Sequence, residues 1–321
     1  MDCTLEKIAD RIKQAKSVAI FTHMRPDGDA FGSSLALSKA LDFLKIPNQV
    51  CVETDIPANL AFIEGIENVK KYPEGNVDLL ISVDCSDEQR LGLLSDVWKN
   101  IARKTDTINV DHHISNPKYA KLNYVRNCSS NCMNVAKLIK ALGAPIDQQT
   151  AEYLLIGVLT DSGNFAHDDV TEETLALAAE LVRAGADIRY YHYVLFKKQS
   201  KARAALHGKV MSDIRYFHDD RLAVISITEE RMRSVEADPS MTEGFVDFPL
   251  NVDSVEVAAS IMEVKKRQYK ISLRSKTYAD VNKIAGVYGG GGHVRAAGCM
   301  LFGELEEVID KLSYTVSQYL E

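Results

Sequence analysis

Several features are scarce or missing in this 321-residue sequence, and each absence removes a class of protein. No apolar run approaches the roughly 18–20 residues that a membrane helix needs, so no spanning segment is expected. The opening MDCTLEKIADRIK lacks a basic start followed by an apolar stretch. It reads as a polar amphipathic helix rather than a signal peptide, which makes the cytoplasm the default expectation. Among Cys3, Cys51, Cys85, Cys128, Cys132 and Cys299, no pair has CxxC spacing. Cys128 and Cys132 fit one helix face, but two further zinc partners are not evident beside them, and reduced thiols are the expectation. Positive charge is in deficit, with 38 Lys and Arg against 45 Asp and Glu and a net charge of -7. That argues against coating long nucleic acid, where a basic face supplies most of the affinity. Short anionic substrates stay open, because a metal site can supply positive charge locally. No internal repeat or low-complexity segment is visible.

Hydrophobic residues at 46% and charged residues at 26% are those of a globular chain. The length suits two domains of roughly 100–200 residues, each with a core that needs no disulfide or structural metal. In the first half, short apolar runs alternate with helical segments. Strands are expected at 17–22, 49–52, 77–83 and 107–110, with a helix over about 30–44 and a buried helix over 150–159. Thr171 is a candidate N-cap, followed by Glu172 and Glu173, and Gly185 a candidate helix end. This order predicts a parallel sheet covered on both faces. Helical sequence over 197–207 is read as a link to a smaller α+β second half. There, 222–228, 255–263 and 268–275 look like strands, 280–287 is helical, and a last helix starts near Leu305. In QYKISLRS, Ile271 and Leu273 should face one way and Lys270, Ser272 and Arg274 the other.

The chemistry-bearing residues stand at the ends of these elements. His23-x-x-x-Asp27-x-Asp29 follows the first run, Asp84 the third, Asp111-His112-His113 the fourth, and Asp161 closes the buried helix. In open α/β sheets, ligands bind outside the carboxyl ends of the strands, so these clusters should converge. Converging carboxylates repel one another unless cations neutralise them. Mixed carboxylate and imidazole ligands suit Mn²⁺ or a similar ion, and two such ions clamp phosphoryl oxygens and activate a water. Taken singly, Asp27-Gly28-Asp29 would pass for a turn and each histidine for a structural one.

The combination resembles the four motifs of the DHH phosphoesterase superfamily. The downstream Gly289, Gly290, Gly291, Gly292 and His293, continuing to Ala296–Gly298, resemble the DHHA1 domain. Length and domain order are similar to the stand-alone bifunctional oligoribonuclease and pAp phosphatases, or nanoRNases. The resemblance implies a catalytic DHH domain over 1–190, a helical linker over 191–215 and a substrate-binding DHHA1 domain over 216–321. It implies that His23 and Asp27 hold one divalent ion, Asp29, His112 and Asp161 a second, and that Asp84 bridges them. His113 would contact the substrate phosphate, and Asp111 would orient a histidine. Arg274 resembles a phosphate-binding arginine, suited by its bidentate guanidinium. The four glycines could bring backbone N–H groups against a phosphate, and His293 could add a hydrogen bond or stack on a base. Taken alone, that glycine run would read as a flexible loop.

The expected activity is therefore hydrolysis of short oligoribonucleotides and of 3′-phosphoadenosine 5′-phosphate (pAp). Linear di-adenylate and cyclic di-AMP are close variants. Pyrophosphatase or polyphosphatase activity, a long-DNA exonuclease and a nucleotide-binding sensor are the alternatives. A homodimer stays open, and neither a membrane nor long duplex DNA is expected as a partner.

Overall fold

Strand composition decides where the first sheet is buried. Val18–Phe21 (β1) and Leu79–Val83 (β3) are apolar almost throughout and buried at every position. That is the signature of parallel strands covered on both faces. The computed structural model describes residues 2–320. Contacts divide the chain into two units, the first ending at Lys198 and the second starting at Gln199. Among the described residues, no helix is long and apolar enough to cross a membrane.

The first unit runs α1 (Leu5–Lys13), β1, α2 (Gly28–Phe43), β2 (Asn48–Cys51), β3, α3 (Leu94–Ala102), β4 (Asp106–Asp111), β5 (Leu122–Val125), α4 (Asn131–Leu142), α5 (Gln148–Asp161), α6 (Glu172–Arg183) and α7 (Ile188–His192). The sheet order is β2-β1-β3-β4-β5, with every pairing parallel. Strand alternation splits the core in two. Val18 and Ile20 of β1 join α1, α2, α4 and α5 on one face. Ala19 and Phe21 join α3 on the other, where Phe21 meets Trp98 edge-on with ring centroids 5.6 Å apart. α2 and α5 are buried nearly all round because each is packed on more than its sheet-facing side. Their approach requires Gly32, where a Cβ would come 2.4 Å from the Tyr153 carbonyl oxygen.

The second unit runs α8 (Lys201–Met211), β6 (Arg215–Phe217), β7 (Leu222–Ile227), α9 (Glu229–Arg233), β8 (Val257–Lys265), β9 (Gln268–Ser275), α10 (Val281–Gly286), β10 (Gly291–His293), β11 (Ala296–Phe302) and α11 (Leu305–Ser317). Its mixed sheet has the order β10-β11-β9-β8-β7-β6, with β7 and β8 parallel and the other pairings antiparallel. β9 alternates as its sequence demands: Ile271 and Leu273 enter the core under α10 and α11.

Four local expectations are corrected. β5 was not anticipated, because LNYV is short and half polar. The helix expected over 197–207 is interrupted: a π-helical turn over Tyr193–Lys197 ends at Lys198, and Ser200 caps a new helix. The glycine run is not wholly a loop, since Gly291–His293 forms an edge strand against β11. Cys128 lies just before α4 and Cys132 in its first turn, rather than both on one helix face.

Candidate metal centre

Strand order reverses between β1 and β3, and the crevice outside such a reversal is where α/β sheets bind ligands. His23 follows β1 and Asp84 follows β3. Asp84 takes a left-handed backbone with φ 49°, a conformation found enriched for Asp among non-glycine residues. Its backbone N–H donates to the Val110 carbonyl of β4, which fixes the turn. The carboxylate then divides between two histidines: Oδ2 lies 3.6 Å from His23 Nε2 and Oδ1 lies 3.4 Å from His112 Nε2.

Asp27 is the N-cap of α2. Its Oδ1 accepts from the backbone of Asp29 and Ala30, while Oδ2 stands 3.9 Å from His23 Nε2. Asp29, in the first turn of α2, is fully buried against the start of α4. It accepts from Ser130 Oγ at 2.7 Å and from the backbone N–H groups of Asn131 at 2.5 Å and Cys132 at 3.0 Å. A helix N-terminus is a favourable seat for an anion. Gly157 on α5 makes room, since a Cβ there would meet Asp29 Oδ1 at 2.6 Å. Asp161 ends α5, with Oδ2 3.4 Å from His112 Nε2.

The two adjacent histidines have different supports. His112 Nδ1 donates to the Cys128 carbonyl at 2.8 Å, which aims Nε2 at the carboxylates, where it donates to them while protonated and offers its lone pair to a cation once deprotonated. His113 Nδ1 donates to Asp111 Oδ1 at 2.9 Å, and Asn116 donates to Asp111 Oδ2 at 2.6 Å. The DHH aspartate is thus completely buried and orients the second histidine.

The sequence-selected residues gather into overlapping groups of ligand atoms within 4.8 Å of one another: His23, Asp27 and Asp84; Asp29, His112 and Asp161; and Asp84, His112 and His113. Their electrostatics describe a site built for added positive charge. Burial first, and then the charges of Asp29 and Asp84, push the Asp161 carboxyl up to about 9. Burial and the Asp84 charge raise Asp29 to about 6. Burial works to raise Asp84 as well, but hydrogen bonds from His112 and His23 outweigh it and hold the carboxyl below its usual range. His112 is lowered by burial, yet the hydrogen bond to Asp84 and the charges of Asp29 and Asp84 carry it up to about 10. Among the described residues, the buried His23 Nδ1 has no hydrogen-bond partner. Clustered carboxylates, imidazole nitrogens turned inward and suppressed ionisation fit divalent cations.

In the second unit, Arg274 stands on the polar face of β9. Its Nε lies 3.3 Å from Asp247 Oδ1, and it shares a cavity of about 370 Å³ with Lys270, Ser272 and Ser260. Strand register sets His293 opposite Ala296, and Ala296 opposite Arg274, so the three occupy one row of the sheet. Gly292 N donates to Asn282 Oδ1 at 2.8 Å. Gly290 packs so closely on β11 that a Cβ would meet the Gly298 carbonyl oxygen at 2.2 Å.

Sequence reasoning missed the supports: Ser130, the Cys128 carbonyl and Asn116. Ser130 left a signal, an N-cap serine before an apolar helix. Asn116 sits in the loop just after the two histidines without a pattern that singles it out, and the Cys128 carbonyl is backbone and left no signal.

The sequence model of the DHH family, N-terminal domain, matches residues 17–158, and that of the DHHA1 domain matches residues 220–321. A bifunctional oligoribonuclease and PAP phosphatase of Thermus thermophilus is 30% identical, over 98% of this chain and 93% of its own. The chain belongs to the DHH family. It is accordingly a phosphoesterase of a metal-dependent kind, a hydrolase. A Bacillus subtilis bifunctional oligoribonuclease and PAP phosphatase is 23% identical over 89% of this DHH chain and 90% of its own. The crystal structure of an exopolyphosphatase-related protein from Bacteroides fragilis superposes with a TM-score of 0.84 at 27% identity, covering 98% of this chain and 96% of that one.

Proposed function

We propose that this DHH protein uses two divalent cations, best supplied as Mn²⁺, to hydrolyse short oligoribonucleotides to mononucleotides and to remove a phosphate from pAp. The observation that carries the reading is Asp84, whose two oxygens face two separate groups of ligand atoms. In this reading His23 and Asp27 hold one cation, Asp29, His112 and Asp161 the other, and Asp84 both. Bound cations would supply an activated water and neutralise charge on the phosphoryl oxygens. His113, with Nδ1 committed to Asp111, offers Nε2 to the substrate phosphate. Arg274, Gly289–Gly292 and His293 hold the remainder of the substrate, so the first unit does the chemistry and the second the anchoring. The substrate class is supported by what the Thermus and Bacillus relatives are named for.

The test is kcat/KM with Mn²⁺ on pAp, linear di-adenylate, cyclic di-AMP, RNAs of graded length and pyrophosphate, with Asp84→Ala as control. Activity concentrated on pAp and the shortest RNAs supports the reading. Faster turnover of pyrophosphate or polyphosphate than of any nucleotide replaces it. Tight nucleotide binding with no turnover makes the protein a sensor.

A further inference from the structure

After α6 the chain changes character. Lys or Arg stands at 189, 197, 198, 201, 203 and 209, and no Asp or Glu occurs between Asp187 and Asp213, in a protein whose net charge is -7. Within the first unit this run is short and aromatic: Arg189, Tyr190, Tyr191, His192, Tyr193, Phe196, Lys197 and Lys198. Tyr190, Tyr193 and Phe196 are 47%, 55% and 40% exposed, an unusual concentration of rings in water. Arg189, Lys197 and Lys198 have no acidic partner among the described residues.

The segment is held firmly. Tyr191 is buried, with its ring centroid 6.3 Å from that of Phe62. His192 Nδ1 bonds Asn164 Oδ1 at 3.0 Å, and Asn164 and Phe165 keep left-handed backbones just past Asp161. The platform is therefore tied to the loop that leaves the metal centre. It continues through a π-helical turn, a distortion common at functional positions.

We propose that residues 189–198 form an accessory strip for single-stranded oligonucleotide, with bases stacking on Tyr190, Tyr193 and Phe196 and phosphates meeting Arg189, Lys197 and Lys198. Exposed rings interleaved with unpaired cations are what sequence-tolerant single-strand binding uses. A second copy docking through this same face would set the cations against themselves, which disfavours a symmetric dimer contact. The inference rests on the reading that oligoribonucleotides are substrates, and it adds a site outside the metal centre that engages only strands longer than a dinucleotide.

The experiment is fluorescence anisotropy of a labelled ten-nucleotide RNA on the full chain with chelator present, so that binding is read without turnover. Tyr190→Ala/Tyr193→Ala should bind at least about thirtyfold more weakly, the equivalent of two lost stacking contacts at about 1 kcal/mol each. Lys197→Ala/Lys198→Ala should flatten the log–log salt dependence by about 1.4, at about 0.7 per single-strand phosphate. Hydrolysis of pAp, measured with Mn²⁺, should be unchanged in both variants, which also reports that they fold. Wild-type affinity and salt slope in both variants overturn the strip, as does wild-type protein that fails to bind the RNA. A change in oligomeric state by light scattering would instead make the face an interface between copies. If no nucleotide is hydrolysed, the proposed function fails, while the binding data still decide the strip.

Discussion

Asp84 Oδ1 and His112 Nε2 approach to 3.4 Å from the ends of two neighbouring parallel strands, each held by a backbone hydrogen bond of its own. The His112 ring cannot turn away without breaking its bond, and the Asp84 side chain starts from a backbone that the Val110 bond fixes. The pair fixes the centre of the ligand cluster before any cation arrives.

Asp84→Asn keeps the shape and removes the charge. Loss of the shared carboxylate should reduce kcat by at least about a thousandfold, since such mutations remove stabilisation present in the transition state. Bound Mn²⁺ per chain, measured by plasma emission, should drop with it. Full metal content together with full turnover would remove Asp84 from the centre.

Arg274→Ala should behave differently, raising KM for nucleotides about tenfold or more while leaving kcat nearly intact, as expected for lost ground-state binding. Steady-state kinetics on pAp separates the two. A fall in kcat with unchanged KM would place Arg274 in the chemistry rather than in anchoring.

Chelated protein should lose stability as pH rises from 7 to 10. The sign follows from two raised groups. Asp161, at about 9, contributes stability that is whole below its usual 3.8 and is lost as pH climbs through 9. His112, at about 10, contributes stability that is whole below 6.5 and is lost through 10. Mn²⁺ should reverse the loss, because cation binding favours the deprotonated ligands. Thermal melts with and without metal across this range test it, and a chelated protein that gains stability toward pH 10 would contradict it.

Asn116→Ala should leave metal content unchanged and lower kcat by about 10–100-fold, the range for a lost supporting contact behind a site. Its Nδ2 donates to both Asp111 and Asn109, so the substitution frees the carboxylate that aims His113. Metal analysis beside pAp kinetics checks it.

Gly157→Ala should destabilise the protein by about 1–3 kcal/mol, as overpacking does. The new methyl would sit 2.3 Å from Cys132 Sγ and 2.6 Å from Asp29 Oδ1, so Mn²⁺ affinity should fall as well. Urea melts and metal titration read the two effects.

The outline of both units could be read from sequence because their signals are local. Alternating burial in β9 and the apolar runs of β1 and β3 are visible residue by residue. The positions of His23, Asp84, Asp111 and Asp161 at element ends were readable for the same reason. β5 was missed because its burial comes from its neighbours: Asn123 is buried by its place in the fold, not by its type. Of the supports of the candidate site, the Cys128 carbonyl under His112 was missed because backbone carbonyls carry no sequence signature, while Ser130 and Asn116 are ordinary polar side chains whose partners only the fold reveals.

The candidate ligands come from well-separated stretches between His23 and Asp161, carried on different strands and helices. A cation bound to them closes long loops of chain, the arrangement in which a clip restrains the unfolded ensemble most. For the first unit, a metal held there would work as a reversible cross-link, and adding a chelator would be the counterpart of reducing a disulfide. Protease resistance of this unit would then track the free metal concentration.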